Sequence, residues 1–145
     1  MISVYCKHRC ISELPIDFHQ PFVEYVHPLE YDFGVRVGTV YSVLGIIGRK
    51  STLWLYVFST ESEGVRVLPA VLFGFLSTEV SPGMHLRMSK SSTVAFEILP
   101  QALVDVDNWF ERYIDGEDIV LKIVKSEIQQ LKEGSERPIK GDGGN

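Results

Sequence analysis

Apolar residues recur at two periods along this chain, close to two before Pro100 and close to 3.6 after it. Residues 35 to 48, VRVGTVYSVLGIIG, are rich in Val, Ile and Tyr, with Tyr41, Val43 and Gly45 on one face and Val40, Ser42, Leu44 and Ile46 on the other. That composition predicts a mostly buried strand. Residues 52 to 60, TLWLYVFST, are apolar on both faces from Trp54 to Phe58, which predicts a strand covered on two sides. Polar TESEG (60 to 64) ends in a glycine able to take positive φ, and VRVL (65 to 68) follows, the pattern of a hairpin. Pro69 cannot donate to a ladder, so PAVLF (69 to 73) is expected to leave the sheet as a short turn. SPG (81 to 83) marks another turn, and MHLRM (84 to 88) and STVAFEIL (92 to 99) read as strands on either side of SKSS. Residues 11 to 34 are interrupted by Pro15, Pro21 and Pro28 and read as an irregular cover on the sheet.

After Pro100 the spacing turns helical. Ala102, Leu103 and Val106, then Trp109, Phe110, Tyr113 and Ile114, predict one or two short helices with the second set facing the sheet. Val120, Ile123, Val124, Ile128 and Leu131 form one stripe of a longer helix, with Asp115 as its cap, Asp118 near its start and Gly134 as its end. Lys125 and Lys132 towards its end suit the helix dipole. The expected fold is α+β, a small mainly antiparallel β barrel or strongly bent sheet of five to six strands with C-terminal helices. It forms one globular domain over 1 to 134, with a disordered tail over 135 to 145.

Composition agrees with a soluble globular chain: 145 residues, 45% hydrophobic and 23% charged. Charge changes the picture more. Residues 101 to 118 hold six acids against one arginine, an excess that equals the whole chain's net charge of -5, so the remainder balances. A concentrated field of this sign attracts cationic surfaces and repels nucleic acid. The first residues lack a basic segment followed by an apolar run of signal length, and no run reaches the roughly 18 apolar residues of a membrane span. The expected location is the cytoplasm, without membrane association, where Cys6 and Cys10 stay reduced.

Candidate chemistry is sparse. Cys6, His8 and Cys10 form a C-x-H-x-C set of good zinc ligands, with His19 or His27 as a distant fourth. On a strand, though, Cys6 and Cys10 stand about 13 Å apart, too far for one tetrahedral ion, so structural thiols are the expectation. No serine sits in a G-x-S-x-G elbow, and the four histidines, at 8, 19, 27 and 85, are scattered. Gly38, Gly45 and Gly48 do not have the spacing of a phosphate loop. Arg36, Arg49, Lys50, Arg87 and Lys90, the minimal case for single-stranded nucleic acid, form no cluster in sequence. The acidic stretch, DVDNWFERYIDGED, lacks the calcium-loop pattern and any sign of a pocket that would separate two carboxyl pKa values. No catalytic residue, metal or cofactor is expected.

The segments GTVYSVLGI (38 to 46), WLYV (54 to 57), LPAVLF (68 to 73) and WFERYIDGE (109 to 117) resemble, in order and spacing, small bacterial proteins similar to immunity proteins of polymorphic toxin systems. Tyr41, Val43, Gly45, Ile46, Pro69, Leu72, Phe73, Phe110, Asp115, Gly116 and Glu117 carry the likeness, over roughly residues 35 to 130. Glu79 and Met84 stand where that pattern has Asp and then Trp. The resemblance implies a non-enzymatic protein that neutralises a cognate, basic toxin domain by direct contact. The acidic surface would then be the interface, with Asp105, Asp107, Glu111, Asp115, Glu117 and Asp118 supplying charge and an exposed Trp109 or Tyr113 the aromatic anchor. Two other readings remain open: a small β-barrel module binding nucleic acid or a peptide, and a metal-dependent enzyme built on Cys6, His8 and Cys10.

Overall fold

A computed structural model describes residues 1–59, 64–89, 91 and 93–136. Seven antiparallel strands are β1 (Ser3–Cys6), β2 (Val40–Arg49), β3 (Thr52–Phe58), β4 (Arg66–Pro69), β5 (Phe73–Ser77), β6 (Met84–Met88) and β7 (Val94–Pro100). Three helices follow, α1 (Gln101–Val104), α2 (Trp109–Ile114) and α3 (Asp118–Glu136). β2 is the common member. One of its edges pairs with β3 along nearly its full length. The other edge is divided, with β1 on Val40 to Ser42 and β7 on Ile46 to Arg49. Beyond these lie β4 on β3, β5 on β1 and β6 on β7, giving the order β4-β3-β2-β1-β5 with β7 and β6 as a side branch. The sheet does not close into the expected barrel, and seven strands replace the expected five or six. The strands not expected from the pattern, β1 and β5, are four and five residues long, too short for alternation to register.

Strict alternation also fails inside β2, for a physical reason. Val43 pairs with Val57 and Gly45 with Tyr56, so Leu44 is an extra residue opposite a single step of β3. The bulge carries Val43 and Ile46 to the same face as Leu55 and Val57, and puts Gly45, Ile47 and Arg49 on the face of Tyr56 and Trp54. Leu44 itself is fully buried. β2 begins at Val40 rather than 35, because Gly38 at φ 87° turns the chain immediately before it. At Gly45 an added Cβ would lie 2.8 Å from the Ile98 carbonyl oxygen and 2.7 Å from Leu99 Cδ2, so only glycine admits β7 this close.

Pro69 ends β4 opposite Trp54, and Ala70–Leu72 then form a 3-10 turn that buries Leu72 before β5. Residues 11 to 34 are the expected cover: three 3-10 turns bury Ile11, Leu14, Phe22 and Val26, and Phe22 and Tyr25 set their rings edge-on to Trp54. In α3 the apolar stripe packs inward through Val120 and Val124, with Ile123, Ile128 and Leu131 partly covered. Gly134 does not end this helix, which runs to Glu136; the sequence beyond, including most of the expected tail, lies outside the described residues.

Gly45→Ala is expected to lower stability by about 1 to 3 kcal/mol, since backbone on β7 must move. Gly134→Ala, whose Cβ meets nothing within 4 Å, is expected to raise it by roughly 0.5 to 1 kcal/mol. Urea denaturation of the two variants gives both values.

Candidate functional site: an acidic face beside a polar cleft

The helices are joined by turns that set the acidic residues outward. α2 is closed by a Schellman arrangement, in which Glu117 N–H donates to the Arg112 carbonyl and Gly116 N–H to that of Tyr113, with Gly116 at φ 77°. Asp115 therefore terminates α2, accepting the role of C-cap, and does not cap α3. Its own N–H donates to the Glu111 carbonyl at 2.9 Å. Asn108 takes the left-handed conformation at φ 53° just before α2, and its carbonyl accepts the first bond of that helix from Arg112 N–H at 3.1 Å.

Asp105, Asp107, Glu111, Asp115, Glu117 and Asp118 are all exposed. Of these only Glu117 forms an ion pair among the described residues, with Arg112. The aromatic residues between them behave differently. Trp109 is 1% exposed, packed on Tyr56 at 4.6 Å and on Phe110 at 5.5 Å between ring centroids. Its expected role as an exposed anchor fails on burial: the indole is the peg that fastens α2 to the sheet. Tyr113 is half-buried, and its hydroxyl accepts a hydrogen bond from Val65 N–H at 3.0 Å, tying α2 to the start of β4. Ile114, expected to face the sheet, is instead 66% exposed, and Ile119, the second residue of α3, is 69% exposed. The apolar component of the acidic face is thus aliphatic rather than aromatic. Helical spacing included Ile114 because it follows Tyr113, but a six-residue helix presents too few positions for the period to tell its inward edge from its outward one.

The C-x-H-x-C residues are dispersed. Cys6 is buried on β1 and its thiol donates to the His8 carbonyl at 3.3 Å, while Cys10 Sγ sits 3.1 Å from Ser12 Oγ and His8 Nδ1 3.8 Å from Glu13. Burial pushes the Cys6 thiol above its ordinary pKa, offset in part by backbone hydrogen bonding at His8, with the charge of Glu13 as a still smaller upward effect. Among the described residues no group of three His, Cys, Asp or Glu converges in a way that could hold a metal ion. Cys6, His8 and Cys10 therefore do not come together as the ligand set of the third reading.

A polar cleft of about 740 Å³ opens between the β6–β7 hairpin and α2. It is lined in part by Arg49, Tyr56, Arg87, Glu97 and Trp109, with Asp107 and Glu111 bringing the acidic face to it. Arg49 and Arg87, far apart in sequence, meet here because β2 and β6 both flank β7. Lys90 lies outside the described residues. Arg87 donates through Nη1 to the carbonyls of Val104 and Val106, at 2.8 and 3.0 Å, and through Nη2 to Glu97 at 3.2 Å. One guanidinium thus binds β7, the last residue of α1 and the start of the α1–α2 link. The Tyr56 hydroxyl lies against Glu97, and burial, reinforced by that carboxylate, pushes its pKa well above the ordinary value, so it stays a neutral donor. Arg49 stacks 4.5 Å above Trp54 and 5.5 Å above Tyr25. Two buried donors here, Arg49 Nε and Trp109 Nε1, have no partner among the described residues, each a cost of about 1 to 3 kcal/mol. Sequence spacing held no signal for this cleft.

A second groove, of about 970 Å³, runs between residues 79 to 84 and α3 and includes Asp105, Glu127 and Leu131. Partial burial raises the Glu127 carboxyl above its ordinary 4.5. Among the described residues no helix is long and apolar enough to cross a membrane. Comparison of the chain with protein-family models, curated protein sequences and solved structures finds no match in any of the three.

Two outcomes follow from these contacts. Arg87→Met should destabilise the fold by about 3 to 5 kcal/mol, because Glu97 is left as a largely buried, unpaired carboxylate; adding Glu97→Gln should recover a large part of that, measured by chemical denaturation. Glu127→Gln should raise stability at pH 7 and leave it unchanged below about pH 4. A carboxyl whose folded pKa is raised contributes most when protonated and loses that contribution as pH rises through the raised value, so the variant should flatten this decline in thermal melts across pH.

Proposed function

We propose that this chain is an immunity-type binding protein, not an enzyme, that neutralises a cognate bacterial toxin by direct contact through the face formed by α1, α2 and the start of α3. The observation that carries the reading is the composition of that face. Six exposed carboxylates between residues 105 and 118 share this stretch of chain with two isoleucines, Ile114 and Ile119, that stand more than half exposed at the turn between α2 and α3. Helix termini offer inexpensive ways of covering such residues, and the chain does not use them here. Fixed acidic charge accelerates encounter with a basic surface, while desolvated aliphatic residues slow separation from it. A basic partner fits both, and a toxin that acts on nucleic acid is basic in its substrate channel. The same charge opposes the nucleic-acid-binding reading. The resemblance in residues 38 to 46, 54 to 57, 68 to 73 and 109 to 117 points the same way, and the cytoplasm is the compartment in which such a protein acts.

The partner of choice for a test is an inactivated toxin domain encoded beside this chain. Asp115→Asn with Asp118→Asn should slow association at low salt by on the order of tenfold and flatten the dependence of the rate on ionic strength. Ile119→Asp should act mainly on dissociation. Surface plasmon resonance at several salt concentrations reads both, and unchanged rates with unchanged salt dependence would remove this face as the interface.

A further inference from the structure

We infer that the cleft between the β6–β7 hairpin and α2 is a receptor for an amide group, the carboxamide of an Asn or Gln side chain or the peptide unit itself, presented by the protein partner. The carrier rests on the binding reading above; the chemistry of the cleft does not.

The argument starts from the two donors left over. Trp109 is almost wholly buried and lines the cleft, and its Nε1–H has no acceptor among the described residues; Arg49 is a second residue of the lining, and its shielded Nε–H has none either. Buried donors are nearly always satisfied, so a pair of them on one cleft calls for an oxygen acceptor. Three of the acceptors around the cleft are engaged elsewhere, and the carboxylates of Asp107 and Glu111 make no contact with either donor. Glu97 is held by Arg87, and the carbonyls of Val104 and Val106 take the other arm of the same guanidinium. Trp54, the other indole, supplies the contrast, since its Nε1–H donates to Thr52 Oγ1 at 3.0 Å.

The charge of the cleft selects the kind of acceptor. Its described ionic lining is Arg49, Arg87, Glu97, Asp107 and Glu111, one negative charge in excess, and the Arg87 charge is already matched by Glu97. A carboxylate or phosphate ligand would meet the uncompensated field of Asp107 and Glu111. A simple cation would leave both donors unpaired. An amide is neutral and carries both functions: its oxygen takes the indole and guanidinium protons, and its N–H suits the carboxylates of Asp107 or Glu111. Both donor nitrogens are shielded from solvent, so entry of the amide requires the side chains lining the cleft to shift on the rotamer scale. The same shielding keeps water from competing once the amide is in place.

The test uses the full chain labelled with 15N and N-acetylglycinamide as probe, with the two indole N–H resonances followed on titration. The expected result is a saturable, millimolar shift of the Trp109 signal while the Trp54 signal stays in place. Assignment comes from Trp109→Phe or, should that variant not fold, from triple-resonance spectra. Asp107→Asn with Glu111→Gln should weaken the response several-fold, and sodium acetate at equal ionic strength should produce less shift than the amide. Three results overturn the inference: no movement of the Trp109 signal, equal movement of both indoles, or a larger response to acetate. Each would leave the acidic face as a partner surface untouched, and unchanged toxin binding in the Asp115 and Asp118 variants would remove that face as the interface while leaving the amide titration untouched.

Discussion

Everything in this molecule leans on β2 and on the extra residue at Leu44. A strand of ten residues that paired evenly on both edges would carry one continuous sheet, with one face buried and one open. The bulge breaks that regularity. Its twist lets β1 leave one half of the strand's free edge and β7 take the other, so the sheet forks. Val4, Val43, Leu55, Val57 and Leu68 of the main path are buried in the core, while the β7–β6 branch supports α1. Gly45 and Gly48 are the local condition for this, the first admitting the Ile98 carbonyl and the second the Phe96 ring.

The same fork positions the chemistry. Because β7 lies between β2 and β6, Arg49 and Arg87 approach Glu97 from opposite sides, and Arg87 reaches past it to the carbonyls that link α1 to α2. That link decides where α2 lands, and α2 in turn decides that Trp109 is a core residue and that Glu111, Ile114 and Asp115 face solvent. A guanidinium that bridges sheet and helix is thus upstream of both the polar cleft and the acidic face. The two features adjoin through Asp107 and Glu111, which belong to each.

Much of this architecture was legible from pattern. The long buried strands, the antiparallel pairing of β3 with β4, the proline-broken cover and the stripe of α3 follow from burial acting on a period of two or 3.6, although β2 starts at Val40 rather than 35, Pro69 stays paired at the end of β4, and the turn expected over 60 to 64 lies mostly outside the described residues. Legibility ends where a short element repeats its period too few times to separate one face from the other and no turn signal marks it. β1, β5 and α2 are each six residues or fewer, and there Ile114 was assigned inward and Asp115 to the wrong helix. The bulge at Leu44 is invisible for a related reason, since one inserted residue in an otherwise apolar strand leaves no polar marker of the face change.

The sequence by itself determined the class of the fold, the concentration of acid between 101 and 118, and the absence of any motif for catalysis or a metal, because composition and periodicity are additive properties of neighbours along the chain. Only the tertiary structure decided which members of DVDNWFERYIDGED are surface and which are core, and that Arg49, Arg87, Glu97 and Trp109 share one cleft. Those are relations between residues up to sixty positions apart, set by which strands pair across β2, and local spacing holds no record of them.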